Sequence, residues 1–416
     1  MVNNVFVRCN LCNSKFRLRW QVGYKKAAVQ IRCPQCNSRI YGFLSSDSDP
    51  VAKIHGATLI DPDRVNYVQE ISTEYLTFKM CSDSAVEEGA TPFIRSIGNI
   101  VPKRMAYLSF LEDHPNEVET VNDLLNAKSY KYLKKKLRDD DNEYISICKN
   151  MIKKYILNSE VDLLMASHQY LMTLFLASGV NNNVAGVMND IAYLRKTNVE
   201  AVKEFSKLMD TKGYYTKLNA KFSKLSNLYN ENYISLVSTI MIKDMNSIDP
   251  DIMGLSSVDY EDLLELYRKC YEFIGEFIIY IIGLNNIVER GDYNEFKNGN
   301  SDIEEKVNKE DKYNRIQAFV KQDEKFSEDW SETLNKIIRN AEAHFDVEYD
   351  IISQKITFIS KGRNRTDKED LYLLELAIET IKIFGLSVRL WEIAYQLQKF
   401  RLILDLRNDW NYGRNK

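Results

Sequence analysis

The sequence predicts a mainly α-helical protein, a helical bundle preceded by a small cysteine-rich ribbon. Three observations predict it. Two CxxC pairs stand alone in the first forty residues, apolar residues recur at helical spacing over most of the chain from 116 onward, and the period changes to two just once in that helical part, after His344. At 416 residues the chain is long enough for two or three domains. We divide it at 1–46, 47–115, 116–245 and 246–416.

Cys9-Asn10-Leu11-Cys12 and Cys33-Pro34-Gln35-Cys36 are separated by 20 residues, the spacing at which two knuckles close one tetrahedral thiolate site. The halves repeat: Arg8-Cys9-x-x-Cys12-Asn13-Ser14-Lys15 matches Arg32-Cys33-x-x-Cys36-Asn37-Ser38-Arg39. Such a repeat is expected if each turn must aim backbone amides at sulfur. We read 1–46 as a zinc ribbon. Four cysteines leave no open position for a catalytic water, so the zinc is structural and no catalytic metal is expected.

The ribbon also carries Arg8, Lys15, Arg17, Arg19, Lys25, Lys26, Arg32 and Arg39 without a single Asp or Glu, a side-chain charge of +8. Phe6, Phe16, Trp20, Tyr24, Tyr41 and Phe43 are interleaved. Phosphate contact and base stacking need this combination, and Arg17, Arg19, Lys25 and Lys26 are the candidate nucleic-acid contacts. The competing reading makes the aromatics a small core and the charges a solvated surface.

Ser45-Ser46-Asp47-Ser48-Asp49-Pro50 is a polar break that ends the ribbon. Residues 47–115 read as a mixed linker or small subdomain, and 116–245 as several helices, among them Val161–Phe175 and Val199–Leu208. Lys131-Tyr132-Leu133-Lys134-Lys135-Lys136 is followed by Asp139-Asp140-Asp141, which suits a solvated helix end. A long helix is expected over 257–289 and a highly charged, mobile segment over 298–325.

Trp330, Leu334, Ile337, Ile338 and Ala341 then fall on one helical face, with Ser327, Glu328 and Asp329 as its first turn. After His344, Phe345, Val347, Tyr349, Ile356 and Phe358 alternate as a short β-hairpin around Ile351-Ile352-Ser353-Gln354. A basic turn, Lys361, Arg363 and Arg365, is a further candidate for substrate phosphates. Thr366 with Glu369 reads as a capping box opening the last helix, whose buried stripe is Leu371, Leu374, Ile378 and Ile381.

The motif helix ends in Arg339-Asn340-Ala341-Glu342-Ala343-His344. An arginine and a histidine separated by four residues, with asparagine after the arginine, resembles the active-site motif of HEPN-superfamily ribonucleases. Many of these act in bacterial abortive infection and toxin systems. The resemblance covers about 325–360, and Arg339, Asn340 and His344 match the motif. It implies a HEPN-like bundle over 246–416, an endoribonuclease with RNA as substrate, and a homodimer that pairs two copies of the motif; it leaves room for a phage-derived trigger. On an ideal helix Asn340 and His344 share a face while Arg339 points about 140° away, so the arginine must reach round. In HEPN partners of nucleotidyltransferases a tyrosine usually stands two residues after the histidine; here that position is Asp346.

The alternative is a non-catalytic interaction protein, binding nucleic acid or sensing phage through a structural ribbon. The net charge of −3 announces no global affinity for nucleic acid. The first residues lack a signal-peptide pattern, and the most apolar run, Phe273–Leu284, is too short to span a membrane and carries Glu276. Paired and single cysteines together suit a reducing cytoplasm. Cys81, Cys148 and Cys270 are expected to be buried and inert.

Overall fold

A computed structural model describes residues 1–46, 51–101, 105–113, 160–177, 180, 184–242, 248–320, 324, 326, 330, 334–344, 346–361 and 366–414. The expectation of a mainly α protein is corrected: about 52% is helix and 23% strand, a mixed α/β fold.

Among the described residues, nine strands lie in the first 82: β1 (Val2–Cys9), β2 (Lys15–Gln21), β3 (Lys26–Arg32), β4 (Arg39–Ser45), β5 (Val51–His55), β6 (Ala57–Ile60), β7 (Tyr67–Ile71), β8 (Thr77–Phe78) and β9 (Cys81–Ser82). They form a five-stranded mixed sheet, β6-β1-β2-β7-β9, and a three-stranded sheet, β3-β4-β5. Val7, Phe16, Leu18, Trp20, Val29, Ile31, Ile40, Leu44 and Ile71 fill the space between the sheets. The sheets therefore continue past residue 46. Strands of four or five residues give little alternation to read, and β7 joins β2 in parallel, a pairing that needs no local turn.

The helical part turns on the final helix, Leu373–Arg414. It packs against Glu160–Ala177, Val184–Thr197, Val199–Thr211, Tyr214–Ile240 and Tyr260–Phe277. Its rings interlock with theirs: Trp391 stacks on Phe222 at 4.8 Å, and Phe384 on Tyr229 at 3.8 Å. The expected single helix over 257–289 is two, Tyr260–Phe277 and Ile279–Arg290, bent by 49° at Ile278. Helices Ile303–Lys309 and Lys312–Val320 occupy the segment read as mobile; Ile303, Val307, Ile316 and Phe319 are buried and anchor it. The lysine cluster 131–136 and Cys148 lie outside the described residues. Among those described, no single helix is long and apolar enough to cross a membrane.

Two-residue strands complete the joints: β10 (Met253–Gly254) pairs with β8, and β11 (Glu295–Phe296) with β12 (Gly299–Asn300). The motif helix is Lys336–His344, followed by β13 (Val347–Asp350), β14 (Lys355–Lys361) and β15 (Thr366–Tyr372) in one antiparallel sheet. Thr366 and Glu369 are thus in a strand, not a capping box, and the last helix opens at Leu373. The β13–β14 turn places Gln354 in the left-handed region, φ 51°, and its buried amide clamps Leu255, giving a hydrogen bond to the Leu255 carbonyl at 2.7 Å and taking one from its N–H at 2.9 Å.

Candidate functional site

The four paired cysteines converge. Their sulfurs all lie within 4.8 Å of one another, with Cys9 3.7 Å from Cys36 and Cys12 3.5 Å from Cys33. The sequence repeat has a conformational cause: Asn13 (φ 61°) and Asn37 (φ 59°) take the left-handed conformation that asparagine tolerates. Each knuckle is closed by Cys9 N–H to Ser14 and Asn13 N–H to Cys9, repeated as Cys33 N–H to Ser38 and Asn37 N–H to Cys33, all at 2.9–3.0 Å. The fold aims donors at sulfur. Burial pushes the Cys9 thiol up, but Ser38 and the amides of Cys12 and Leu11 outweigh it and draw it down to about 6. At Cys33 burial wins and pushes the thiol up to about 12, so a thiolate there calls for a cation. Four soft donors without an oxygen ligand fit a closed structural metal site. Cys270 is buried and Cys81 half-buried.

The ribbon's charge meets acids from elsewhere in the chain. Arg17 reaches Glu88 at 2.8 Å and Asp83 at 2.9 Å, and holds Glu88 below the usual carboxylate range. Arg19, 1% exposed, donates to Glu70 and to the Glu88 carbonyl, both at 2.6 Å. The structure places these two candidates against residues 83–90, with the terminal nitrogens of Arg17 shared between Asn4 and the acids and those of Arg19 between Glu70 and the carbonyls of Glu88 and Ala90, so both guanidinium groups already hold internal partners. Arg32 grips Asp259 with two bonds of 3.0 Å, and Arg39 pairs with Asp262. Asp259 caps the helix Tyr260–Phe277, so these pairs fasten the β-unit to the bundle. Lys25 and Lys26 remain exposed.

At the motif helix the start is set by Asn335, whose side chain accepts from Ile337 N–H at 2.8 Å and Ile338 N–H at 3.4 Å. Its amide donates to both oxygens of Glu369 on β15 at 2.6 and 2.8 Å, and its own N–H to the Tyr267 hydroxyl at 2.9 Å. The motif helix therefore begins at Lys336, while Trp330 and Leu334 ahead of it are buried all the same. Ser327, Glu328 and Asp329 lie outside the described residues. Ile338 is buried, and half-buried Arg339 donates from Nη1 to Asn340 Oδ1 at 3.2 Å. That bond ties the guanidinium to Asn340, which lies four positions before His344 on the helix.

His344 is the last helical residue; its side chain lies outside the described residues. So do the side chain of Lys361 and residues 362–365, with Arg363 and Arg365. The backbone still relates the two: Ile359 N–H bonds to the Asp346 carbonyl at 3.0 Å, so β14 runs on from there toward the helix end that carries His344. Asn335 and Glu369 are the positioning residues missed in the sequence. An asparagine before Lys336-Ile337-Ile338 was a legible cap signal, but nothing local pointed to Glu369.

Compared with known protein families, curated proteins and solved structures, the chain matches none.

Proposed function

We propose that the chain is an endoribonuclease whose site is Arg339, Asn340 and His344, and that Cys9, Cys12, Cys33 and Cys36 hold a structural zinc ion. The observation that carries the reading is the 3.2 Å bond between Arg339 and Asn340 on a helix that ends at His344. It supports a cluster of phosphate donor, polar orienter and proton carrier at one helix end. RNA supplies its own nucleophile. The 2′-hydroxyl loses its proton to a base and attacks the adjacent phosphorus; the 5′-oxygen leaves with a proton from an acid, giving a 2′,3′-cyclic phosphate and a 5′-hydroxyl. An imidazole titrates near neutrality and can fill either role at His344. Arg339 opposes the charge that grows on the phosphoryl oxygens, and Asn340 orients it.

One histidine cannot be base and acid in the same step, so the step needs a second proton-carrying group. We propose a homodimer in which two motif helices face each other, the arrangement the HEPN resemblance implies. The same resemblance suggests a place in abortive infection or as a toxin. The test incubates the protein and its His344→Ala form with total RNA during a short exposure to EDTA. Cyclic phosphate ends from the parent and their loss in the variant support the reading; equal cleavage by both, or a monomer by light scattering at micromolar concentration, overturns it.

A second reading, a non-catalytic interaction protein built on a zinc scaffold, is favoured by one observation. Arg17, Arg19, Arg32 and Arg39 are all spent on internal carboxylates. A parent protein that cleaves no RNA under any condition leaves this reading as the better account.

A further inference from the structure

The outer face of the three-stranded sheet β3-β4-β5 meets acids only at one end, where Arg32 and Arg39 pair with Asp259, Glu261 and Asp262; around Phe43 it has no counterpart to the acidic cover over Arg17 and Arg19. The register sets Phe43 opposite Lys53 and Ala28, and Tyr41 opposite His55 and Gln30. Ile40, Leu44, Ala52 and Ile54 point the other way, into the sandwich core. The outward positions therefore hold two aromatic rings at i and i+2 on β4, about 7 Å apart along the strand. Tyr41 is 44% exposed and lies over His55, with centroids 5.0 Å apart and planes 20° from parallel. Phe43 is flanked from both neighbouring strands, by Lys26 Nζ at 5.6 Å and Lys53 Nζ at 5.8 Å from its centroid. Arg39 stands 5.7 Å from the Tyr41 ring. Among the described outward positions of the three strands, none is a carboxylate.

We propose that this face binds single-stranded RNA. An exposed ring, Tyr41, and a half-buried one, Phe43, at successive outward positions offer π-faces to two bases, and the flanking ammonium groups stand where a backbone passing over the rings would bring its phosphates. Charge complementarity decides the occupant. A protein partner of mixed charge gains little from a surface whose unpaired charges, Lys26 and Lys53, are all positive and flank a ring, and a duplex keeps its bases stacked inside, out of reach of the rings. The choice of RNA over DNA rests on the proposed nuclease; the stacking geometry does not.

The experiment keeps the two ideas apart by measuring binding in a His344→Ala background, where cleavage plays no part. Fluorescence anisotropy follows a labelled oligouridylate of about 15 nucleotides, an oligothymidylate of equal length and an RNA duplex at two salt concentrations. Tyr41→Ala with Phe43→Ala should weaken oligouridylate binding about tenfold or more, while Tyr41→Phe keeps it, since stacking does not need the hydroxyl. Lys26→Ala with Lys53→Ala should lower the slope of log affinity against log salt by about 1.4, from two phosphate contacts at ~0.7 each. Metal content and the far-UV spectrum of each variant confirm its fold. Unchanged oligouridylate affinity in a folded double-alanine variant, tighter binding of duplex, or preference for the thymidylate overturns the proposal. If binding follows this pattern but the parent cleaves nothing, the nuclease reading falls and the platform stands.

Discussion

Two basic faces of the N-terminal unit carry similar residues and meet opposite fates. On β2, Arg17 and Arg19 point away from the sandwich core, as Lys26, Arg39 and Lys53 do on the other sheet. The β2 face is covered by residues 83–95, and its arginines are held by Glu70, Asp83 and Glu88. The β4 face is open around Phe43, where Lys26 and Lys53 stand beside the ring, while at its other end Arg32 and Arg39 are held by Asp259, Glu261 and Asp262. A count of +8 over 1–46 foretells neither outcome. What separates the faces is which later segment of chain lies across each, and burial selects the residue type: a guanidinium can satisfy several acceptors at once, whereas lysine keeps its ammonium in water.

Metal removal should break both faces together. Binding of a structural metal contributes on the order of 10 kcal/mol to the folding of a small module. Cys33→Ser should therefore unfold the β-unit while the helical signal of the bundle persists, and the parent should contain close to one zinc per chain. Elemental analysis without metal, or amide protection retained in β1 to β4 of the variant, would sink this. A narrower test is Arg19→Ala, which leaves Glu70, itself 4% exposed, short of its main partner. Removing one member of a buried pair costs about 3–5 kcal/mol, and the low end applies because Arg95 also reaches Glu70. The denaturation midpoint should drop with RNA affinity unchanged; lost affinity at intact stability would return Arg19 to the binding surface.

The motif helix gives a contrast of another kind, chemistry without much stability. His344→Ala should slow cleavage by about 10²-fold or more, roughly 2.7 kcal/mol of transition-state stabilisation, with the thermal transition unmoved. Arg339→Lys should also be poor, because a point charge does not reproduce the planar fork. The smallest effect is expected at Asn335→Ala, which removes the cap and its tie to Glu369, about 1 kcal/mol in stability. As a positioning residue its loss should lower kcat more than it raises KM, and Asn335→Asp, which keeps the cap, should recover part of the stability but not the bond donated to Glu369. A rise in KM alone would contradict that role.

The parts of the molecule legible in one dimension are those whose partners lie a few residues away. The cysteine pairs announce a metal site because each knuckle is closed by bonds spanning five residues, and the repeated asparagines mark its left-handed turns. The helix ending at His344 and the turn at Ile351–Gln354 are equally local, written in a change of period. The mixed α/β class, the parallel β2–β7 pair and the cover over Arg17 and Arg19 are not local. Arg19 meets Glu70 51 residues on, and Arg32 meets Asp259 227 residues on. A turn is settled by the conformational preferences of the few residues within it. An ion pair between distant residues depends on the packing that brings two surfaces together, so the identity of a basic residue leaves open whether its partner is a carboxylate of the same chain or a phosphate from outside.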